Sequence, residues 1–471
     1  MKKKGMIVSP GNRPVQESGS ITSTRITSVP AIVLVGTLVG LLSATMSDPS
    51  SMELLMVVAL VLVGSLGLIW QMTISILSRR WKVDFFSPAI YFPILYGLYY
   101  GVGSLVYSSH LHFTITVSEY TLYFVGLFGY YGGILAASML PWPRRSVSSF
   151  TTSWPPSRLK YAILGILGLG TIGLLYAISR IGVPVLSANV EDVRFRIALQ
   201  LGGFVSYLIN SIEIALVLLF TYALIKPTKK SPVRDPRWVA LVLFAVLALM
   251  GLGHRRRVFG PLAVAVVLYH YLRKRLGVMA VVFLGTVAFL LLIFAAFLRQ
   301  TGGVEPDQAL FARLVTYETV RGADALSKLV EVFPSQFDFF GWHGALLPFA
   351  ALAPGRQRLL GDILKEDIFG FGFRGGAWVP TLLGWFYVNF GPAGISFGMP
   401  VVGLIIGALY QKMRHNPSVF SITLYSYIAI YYLVGLRGGF LELWPLYVVG
   451  MLFIVDVYSR IRLRSVRVTS G

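Results

Sequence analysis

Apolar residues in this chain come in runs about twenty long, with almost no charge inside them. A run of roughly 20 apolar residues is what a ~30 Å hydrocarbon slab demands of a helix. About twelve such segments can be counted: 29–46, 52–77, 86–107, 119–140, 159–179, 200–225, 238–253, 258–272, 276–298, 379–410, 419–436 and 440–459. Only 13% of the 471 residues are charged, and the mean hydropathy is +0.71. Soluble domains carry about 25% charged residues, so a soluble multidomain enzyme and a disordered chain are excluded. There is no cysteine, hence no disulfide frame, thiolate nucleophile or Cys-ligated metal. The expected fold class is all-α: a polytopic membrane protein with about 12 transmembrane helices.

Charge orients the spans. With the N-terminus inside and alternation thereafter, the inner connections are Ser78–Phe85, Pro141–Lys160, Lys226–Arg237, Arg273–Arg275, Gln411–Ser418 and the tail from Arg460. Together with the first 28 residues they hold 26 of the 41 Lys and Arg but only three of the 20 acids, and Asp456 just before the tail is a fourth on that side. That is the positive-inside pattern. It also accounts for the net charge of +21, which would otherwise suggest a nucleic-acid partner. The tail 1–28 lacks a signal-peptide layout and is read as cytoplasmic, as is 460–471. Spans one to nine fall within 29–298 and the last three within 379–459. Segments 238–253 and 258–272 are short and are expected to form a half-depth hairpin. Segment 379–410 is too long for one span, and Asn389-Phe390-Gly391-Pro392 is expected to break it, because proline removes a helix donor and restricts its neighbour.

The largest outer segment, 299–378, is read as an extracytoplasmic loop domain. Leu326, Leu329, Val330 and Phe333 fall at i, i+3, i+4, i+7, one stripe of a helix, so a small helical cap is expected. Arginines gather on the outer side in separate places: Arg194 and Arg196 after Glu191-Asp192, Arg255-Arg256-Arg257 after His254, Arg374 before Gly375-Gly376, and Arg437 before Gly438-Gly439. Guanidinium forks suit bidentate binding of phosphate or pyrophosphate. The bland alternatives are local pairing of Arg194 and Arg196 with Glu191 and Asp192, a solvated hairpin tip at Arg255–Arg257, a loop anchor at Arg374, and a bridge from Arg437 to Glu442. Glu213 sits mid-span and must be paired or protonated, as a bundle-core partner to an Arg or as a proton relay. His343 is the outer histidine best placed to take a proton from a sugar hydroxyl, against the plainer reading of an aromatic-packed surface residue. No Asp-x-Asp, no His/Asp/Glu cluster with metal spacing and no Gly-x4-Gly-Lys loop occurs. A metal-dependent nucleotide-sugar transferase and an ATPase are disfavoured, and neither metal nor cofactor is expected.

Four stretches, in order, resemble the O-antigen polymerase (Wzy) family of oligosaccharide repeat-unit polymerases. They are Ile181-Gly182-Val183-Pro184-Val185-Leu186-Ser187 followed by Arg194; Gly253-His254-Arg255-Arg256-Arg257; Gly376 to Tyr410, with Leu383-Gly384-Trp385-Phe386-Tyr387-Val388-Asn389-Phe390-Gly391 its most specific part; and Arg437-Gly438-Gly439-Phe440. The segment from Phe340-Gly341 to Ala353-Pro354-Gly355 is also similar, and coverage is about residues 175–445. The resemblance implies a GT-C-like membrane enzyme acting at the outer leaflet. The growing glycan would leave its undecaprenyl pyrophosphate for a sugar hydroxyl of a new lipid-linked repeat unit, without metal or nucleotide. Arg194, Arg257 (or Arg256) and Arg437 would hold the pyrophosphates. The implied partners are lipid-linked oligosaccharide donor and acceptor, membrane lipids and a chain-length regulator protein. Two departures are plain: Trp385 stands where many relatives have Glu, which moves the candidate base to His343, and the Arg-x10-Gly loop repeats of some members are missing. An O-antigen ligase shares these arginine patterns and stays open. A lipid-linked oligosaccharide flippase is disfavoured, since no half-length repeat is visible and only Glu213 lies deep.

Overall fold

The computed structural model describes residues 49–77, 83–111, 115–142, 154–183, 202–226, 235–251, 255–277, 279–287, 290, 308–350, 358–371, 378–438 and 443–467. Among the described residues there is no strand; the regular structure is helical. The helices are α1 (Pro49–Leu77), α2 (Tyr91–Tyr96), α3 (Gly103–Leu111), α4 (Val117–Met139), α5 (Pro156–Ile181), α6 (Gly202–Ile225), α7 (Pro236–Gly251), α8 (Arg255–Leu272), α9 (Gln308–Val332), α10 (Gly341–Ala350), α11 (Leu360–Ile363), α12 (Thr381–His415), α13 (Val419–Gly438) and α14 (Leu443–Arg467). Six of them, α1, α4, α5, α6, α12 and α13, are long and apolar enough to cross a membrane. The chain is an all-helical membrane protein. Of the expected segments, 29–46 lies outside the described residues, and 276–298 is described only over 276–277, over 279–287 and at 290.

Two expected irregularities are present. Helices α7 and α8 have 16 and 18 residues, about 24 and 27 Å at 1.5 Å per residue, both short of a ~30 Å slab. In α12 the helical path breaks at Gly391, at φ 65° and ψ −155°. The residue before a proline is pushed out of the α region, and glycine takes a positive φ without a Cβ clash, so Gly391-Pro392 supplies both requirements. A third irregularity is new. Segment 86–107 is not one regular span: a turn over 85–90 leads to α2, then a π-helical turn at Gly97–Val102, then α3.

The most extensive pairing is α4 with α12, followed by α5 with α6. Both rest on glycine. A Cβ at Gly133 would lie 2.0 Å from Pro400 O, and one at Gly403 would lie 2.1 Å from Tyr130 O. On the other pair, a Cβ at Gly170 would meet Ile212 N at 2.8 Å. Lipid gives no hydrophobic drive between helices, so close backbone approach through small residues is the available attraction. Gly133→Val therefore wedges α4 off α12. The expected loss is about 1–3 kcal/mol, read as a lower melting temperature in detergent; an unchanged melt contradicts this packing.

Polar contacts join helix ends in the two sets that alternation predicts. At one end Ser108 Oγ donates to Glu53 Oε2 (2.7 Å), Tyr100 Oη to Leu436 O (3.5 Å) and Tyr387 Oη to Phe333 O (3.0 Å). At the other end Tyr271 and Tyr410 donate to Asp84 (3.0 and 2.8 Å), Trp154 Nε1 to Asp456 (3.1 Å) and Arg273 to Lys226 O (3.1 Å). The second set belongs to the basic connections.

The predicted stripe of α9 is buried at Leu326, Leu329 and Phe333. It covers a step in the bundle. Helix α12 begins beside Gly126 of α4, whose Cβ would meet Leu383 Cδ2 at 2.9 Å, rather than beside the start of α4. Over this lower floor α9 packs on α3 and on the first turns of α12, and Leu329 fills the space left by Gly384. Helix α10 is seated by Gly344 against Asn389 and by Trp342 against the Phe390 ring at 5.0 Å.

Candidate functional site

Helix α8 opens on Arg255-Arg256-Arg257. The first turn of a helix carries unsatisfied N–H groups and the positive end of the macrodipole. Three arginines there work against the helix unless an anion is near. Pro261, one turn on, lacks the N–H that would bond the Arg257 carbonyl. Gly260 beside it removes a side chain from the face that meets α6. Helix α13 ends on Arg437, in its last turn, where a cation complements the dipole. Helices α8 and α13 pack against each other, and both touch α6.

Between these helices and α14 lies a half-enclosed cavity of about 20 Å³, lined by Glu213, Gly260, Val264, Tyr427, Ile430, Tyr431, Val434 and Trp444. That volume is room for one water-sized group. Arg257 stands three residues before Gly260 and Arg437 three after Val434, and i,i+3 positions share a helix face. Both arginines therefore sit one turn outward of the same cavity, at the end of the bundle opposite the basic connections. Helical side chains lean toward their own N-terminus, which aims Arg437 down toward the cavity. Glu213 is 7% exposed within a helix buried on nearly every side, and its Oε1 lies 3.9 Å from an ideal Cβ at Gly260. Glu213, Arg257 and Arg437 each have interaction partners.

The other predicted residues fall elsewhere. Arg194, Arg196 and Arg374 lie outside the described residues, and Arg256 is described only as a turn of α8. His343 is on α10, exposed on an open shelf with Trp342, Leu346, Leu347 and Ala350. Trp342 there is 74% exposed. No residue of this shelf lines the Glu213 cavity. Among the described residues no group of three or more His, Asp or Glu is placed to hold a metal ion.

The motif Leu383 to Gly391 has a structural account. It is the buried outer piece of α12, and it ties the cap to the bundle through Tyr387 Oη to Phe333 O and Phe340 N–H to Val388 O at 3.1 Å. Gly394-Ile395-Ser396-Phe397-Gly398, just beyond, spells the Gly-x-Ser-x-Gly of a nucleophile elbow. Ser396 is instead mid-helix, its Oγ donating to Pro392 O at 3.1 Å, without the strand-to-helix turn an elbow needs.

One constellation was missed by sequence reasoning, which set His270 aside. Asp84, from the connection after α1, accepts from Tyr271 and Tyr410 and lies 3.3 Å from His270 Nε2. His270 Nδ1 accepts the Leu276 N–H at 3.1 Å, so the ring proton is assigned to Nε2, facing the carboxylate. Burial opposes ionisation of Asp84, yet His270 and the two tyrosines hold its pKa below the ordinary 3.8. The residues are far apart in sequence and share no spacing, so no motif announces them.

No family model, curated protein or solved structure matches this chain.

Proposed function

We propose that the protein is a metal-independent membrane glycosyltransferase. In this reading it polymerises undecaprenyl-pyrophosphate-linked oligosaccharide repeat units into a surface polysaccharide at the outer leaflet of the cell membrane. The observation that supports it is the placement of Arg257 and Arg437 one turn outward of residues that line one recess, at the end away from the basic connections. A guanidinium group in the first turn of α8 and a second in the last turn of α13 together favour a multiply charged anion. The pyrophosphate of a lipid-linked glycan would reach this depth with its prenyl tail in the bilayer. Its phosphate oxygen is already a good leaving group, so the reading calls on no cofactor. Arg194, Arg196, Arg256 and Arg374 would complete the pyrophosphate sites of donor and acceptor. About twelve spans, cytoplasmic termini and a GT-C-like loop domain at 299–378 belong to the same reading.

Orientation has a direct test, helped by the absence of native cysteine. Gln336 is exposed after α9 and Lys412 is exposed near the opposite end of α12. A cysteine at 336 should react with an impermeant maleimide on intact cells, and one at 412 only after permeabilisation. The reverse pattern inverts the topology and removes the outer-leaflet reaction.

Deletion in the native host tests the activity. Loss of a polymerase leaves surface lipid capped with a single repeat unit. Loss of a ligase leaves bare acceptor with full-length polymer still on its lipid carrier. Loss of a transporter traps single units on the inner leaflet. Either of the last two results rejects polymerisation.

A further inference from the structure

We infer that the Glu213 cavity receives the attacking hydroxyl of the acceptor sugar, and that the Glu213 carboxylate takes its proton. This rests on the glycosyltransferase reading and names a group that the reading lacks.

The cavity is built from a carboxylate and three aromatic residues, Tyr427, Tyr431 and Trp444. A carboxylate that accepts from a hydroxyl, beside phenol groups that can donate to its oxygen, suits a single sugar hydroxyl entering the cavity. A purely structural ion pair in a bundle core would be packed around closely. Here the carboxylate borders open space of one-oxygen size. The space exists because residue 260 is glycine: its ideal Cβ would lie in contact with Glu213 Oε1. A carboxylate in such a helix is expensive and is retained for function by default. The titratable groups lining the cavity beside it are Tyr427 and Tyr431 from α13; Arg257 of α8 and Arg437 of α13 stand one turn outward, and Tyr447 of α14 shares a hydrogen bond with Ser211 at 2.7 Å. Helix α5 meets α6 through Gly170 and Gly173, and α7 presents Ala245 and Leu249 to the core.

The step balances as follows. The acceptor oxygen forms a bond to the anomeric carbon of the donor glycan. The bond from that carbon to the pyrophosphate oxygen breaks, and its electron pair leaves with undecaprenyl pyrophosphate. The hydroxyl proton passes to a Glu213 oxygen. Arg257 and Arg437, one turn outward, face the charge that grows on the leaving oxygen. His343, on the separate α10 shelf, is not needed for the transfer.

The test compares wild type, Glu213→Gln and Glu213→Asp, reconstituted in liposomes with lipid-linked repeat units extracted from the native host. Farnesyl pyrophosphate serves as a binding probe, read by its stabilisation of the protein against heat. Glu213→Gln should lower elongation by about 10²–10⁴-fold, the usual range for a general base. Its residual rate should lose the acidic limb of the pH profile, and the probe should still stabilise it. Glu213→Asp should keep an acidic limb, displaced from its wild-type position, with a reduced rate. Elongation by Glu213→Gln within about threefold of wild type overturns the inference. So does a slow variant that keeps the wild-type acidic limb, since another group then takes the proton. If Glu213→Gln does not fold, an acidic limb in Glu213→Asp identical to wild type overturns it equally. Failure of the probe to stabilise wild type strikes at the pyrophosphate site instead, and so separates the two ideas.

Discussion

Arg437→Ala should insert and fold, yet stop chain elongation while single lipid-linked repeat units accumulate. The structure makes the expected loss specific. Arg437 is exposed in the last turn of α13, so its truncation opens no core cavity; it removes a favourable charge–dipole contact, typically about 0.3–1 kcal/mol, and the contact the side chain makes to its neighbours. Stability therefore changes little. Its contribution to the reaction would be larger, because preorganised donors aimed at developing charge are commonly worth about 10²–10³ in rate each. Arg257→Ala should give a loss of similar size, and the double variant little more, since groups that act on one oxyanion are not additive. Arg437→Lys is the informative control. It keeps the charge but loses the planar fork, and should recover only part of the activity. Glycan ladders from cells carrying each variant provide the measurement. Normal ladder length in both alanine variants removes the pyrophosphate site and the function built on it.

How much of this could be read from sequence follows the physics of each feature. Long apolar runs and their flanking charges are local, and they located every one of the six membrane-length helices. The break at Gly391-Pro392 was legible because two neighbouring residues dictate it. The π-helical turn at Gly97–Val102 was not. It depends on how closely that segment lies on α1, where a Cβ at Gly97 would meet Leu60 O at 3.1 Å. The same division holds at the site. Arg257, Arg437 and Glu213 were each conspicuous as charges in apolar surroundings. That they share one cavity depends on α8, α13 and α6 meeting, which no spacing encodes. His343 stood out by residue type and by its place on the outer loop, but residue type says nothing of the shelf it faces. Asp84 and His270 were passed over because each looks like an ordinary loop or span-end residue until four segments bring Tyr271, Tyr410 and the Leu276 N–H around them.

The Asp84 constellation carries the largest expected effect on stability. Asp84→Ala should destabilise the protein by about 3–5 kcal/mol, because two tyrosine hydroxyls each lose a hydrogen bond to a charged group, about 1.5–3 kcal/mol apiece. The reason is what remains. Tyr271 Oη and Tyr410 Oη both point at the vacated oxygens, and His270 Nε2 lies 3.3 Å from one of them. The tyrosines can swing toward other acceptors, but the ring of His270 is fixed by Leu276 N–H at Nδ1 and by edge contacts to Phe86 and Tyr271. Asp84→Asn should be nearly as harmful, because its amide sets a donor against the Nε2–H. Acid should mimic the substitution. The folded-state pKa of Asp84 lies below 3.8, so its contribution is fully present above the unfolded value and is lost as pH falls through the folded one. Melts in detergent should show wild type losing part of its advantage over Asp84→Ala only below about pH 4. An advantage that stays constant down to about pH 2 would contradict the stabilised carboxylate. Because α12, α13, α8 and the connection after α1 all meet at this point, its loss should loosen the inner end as a unit. Hydrogen exchange should rise together over residues 84–90, 268–276 and 408–425, while the Arg257–Arg437 end keeps its protection.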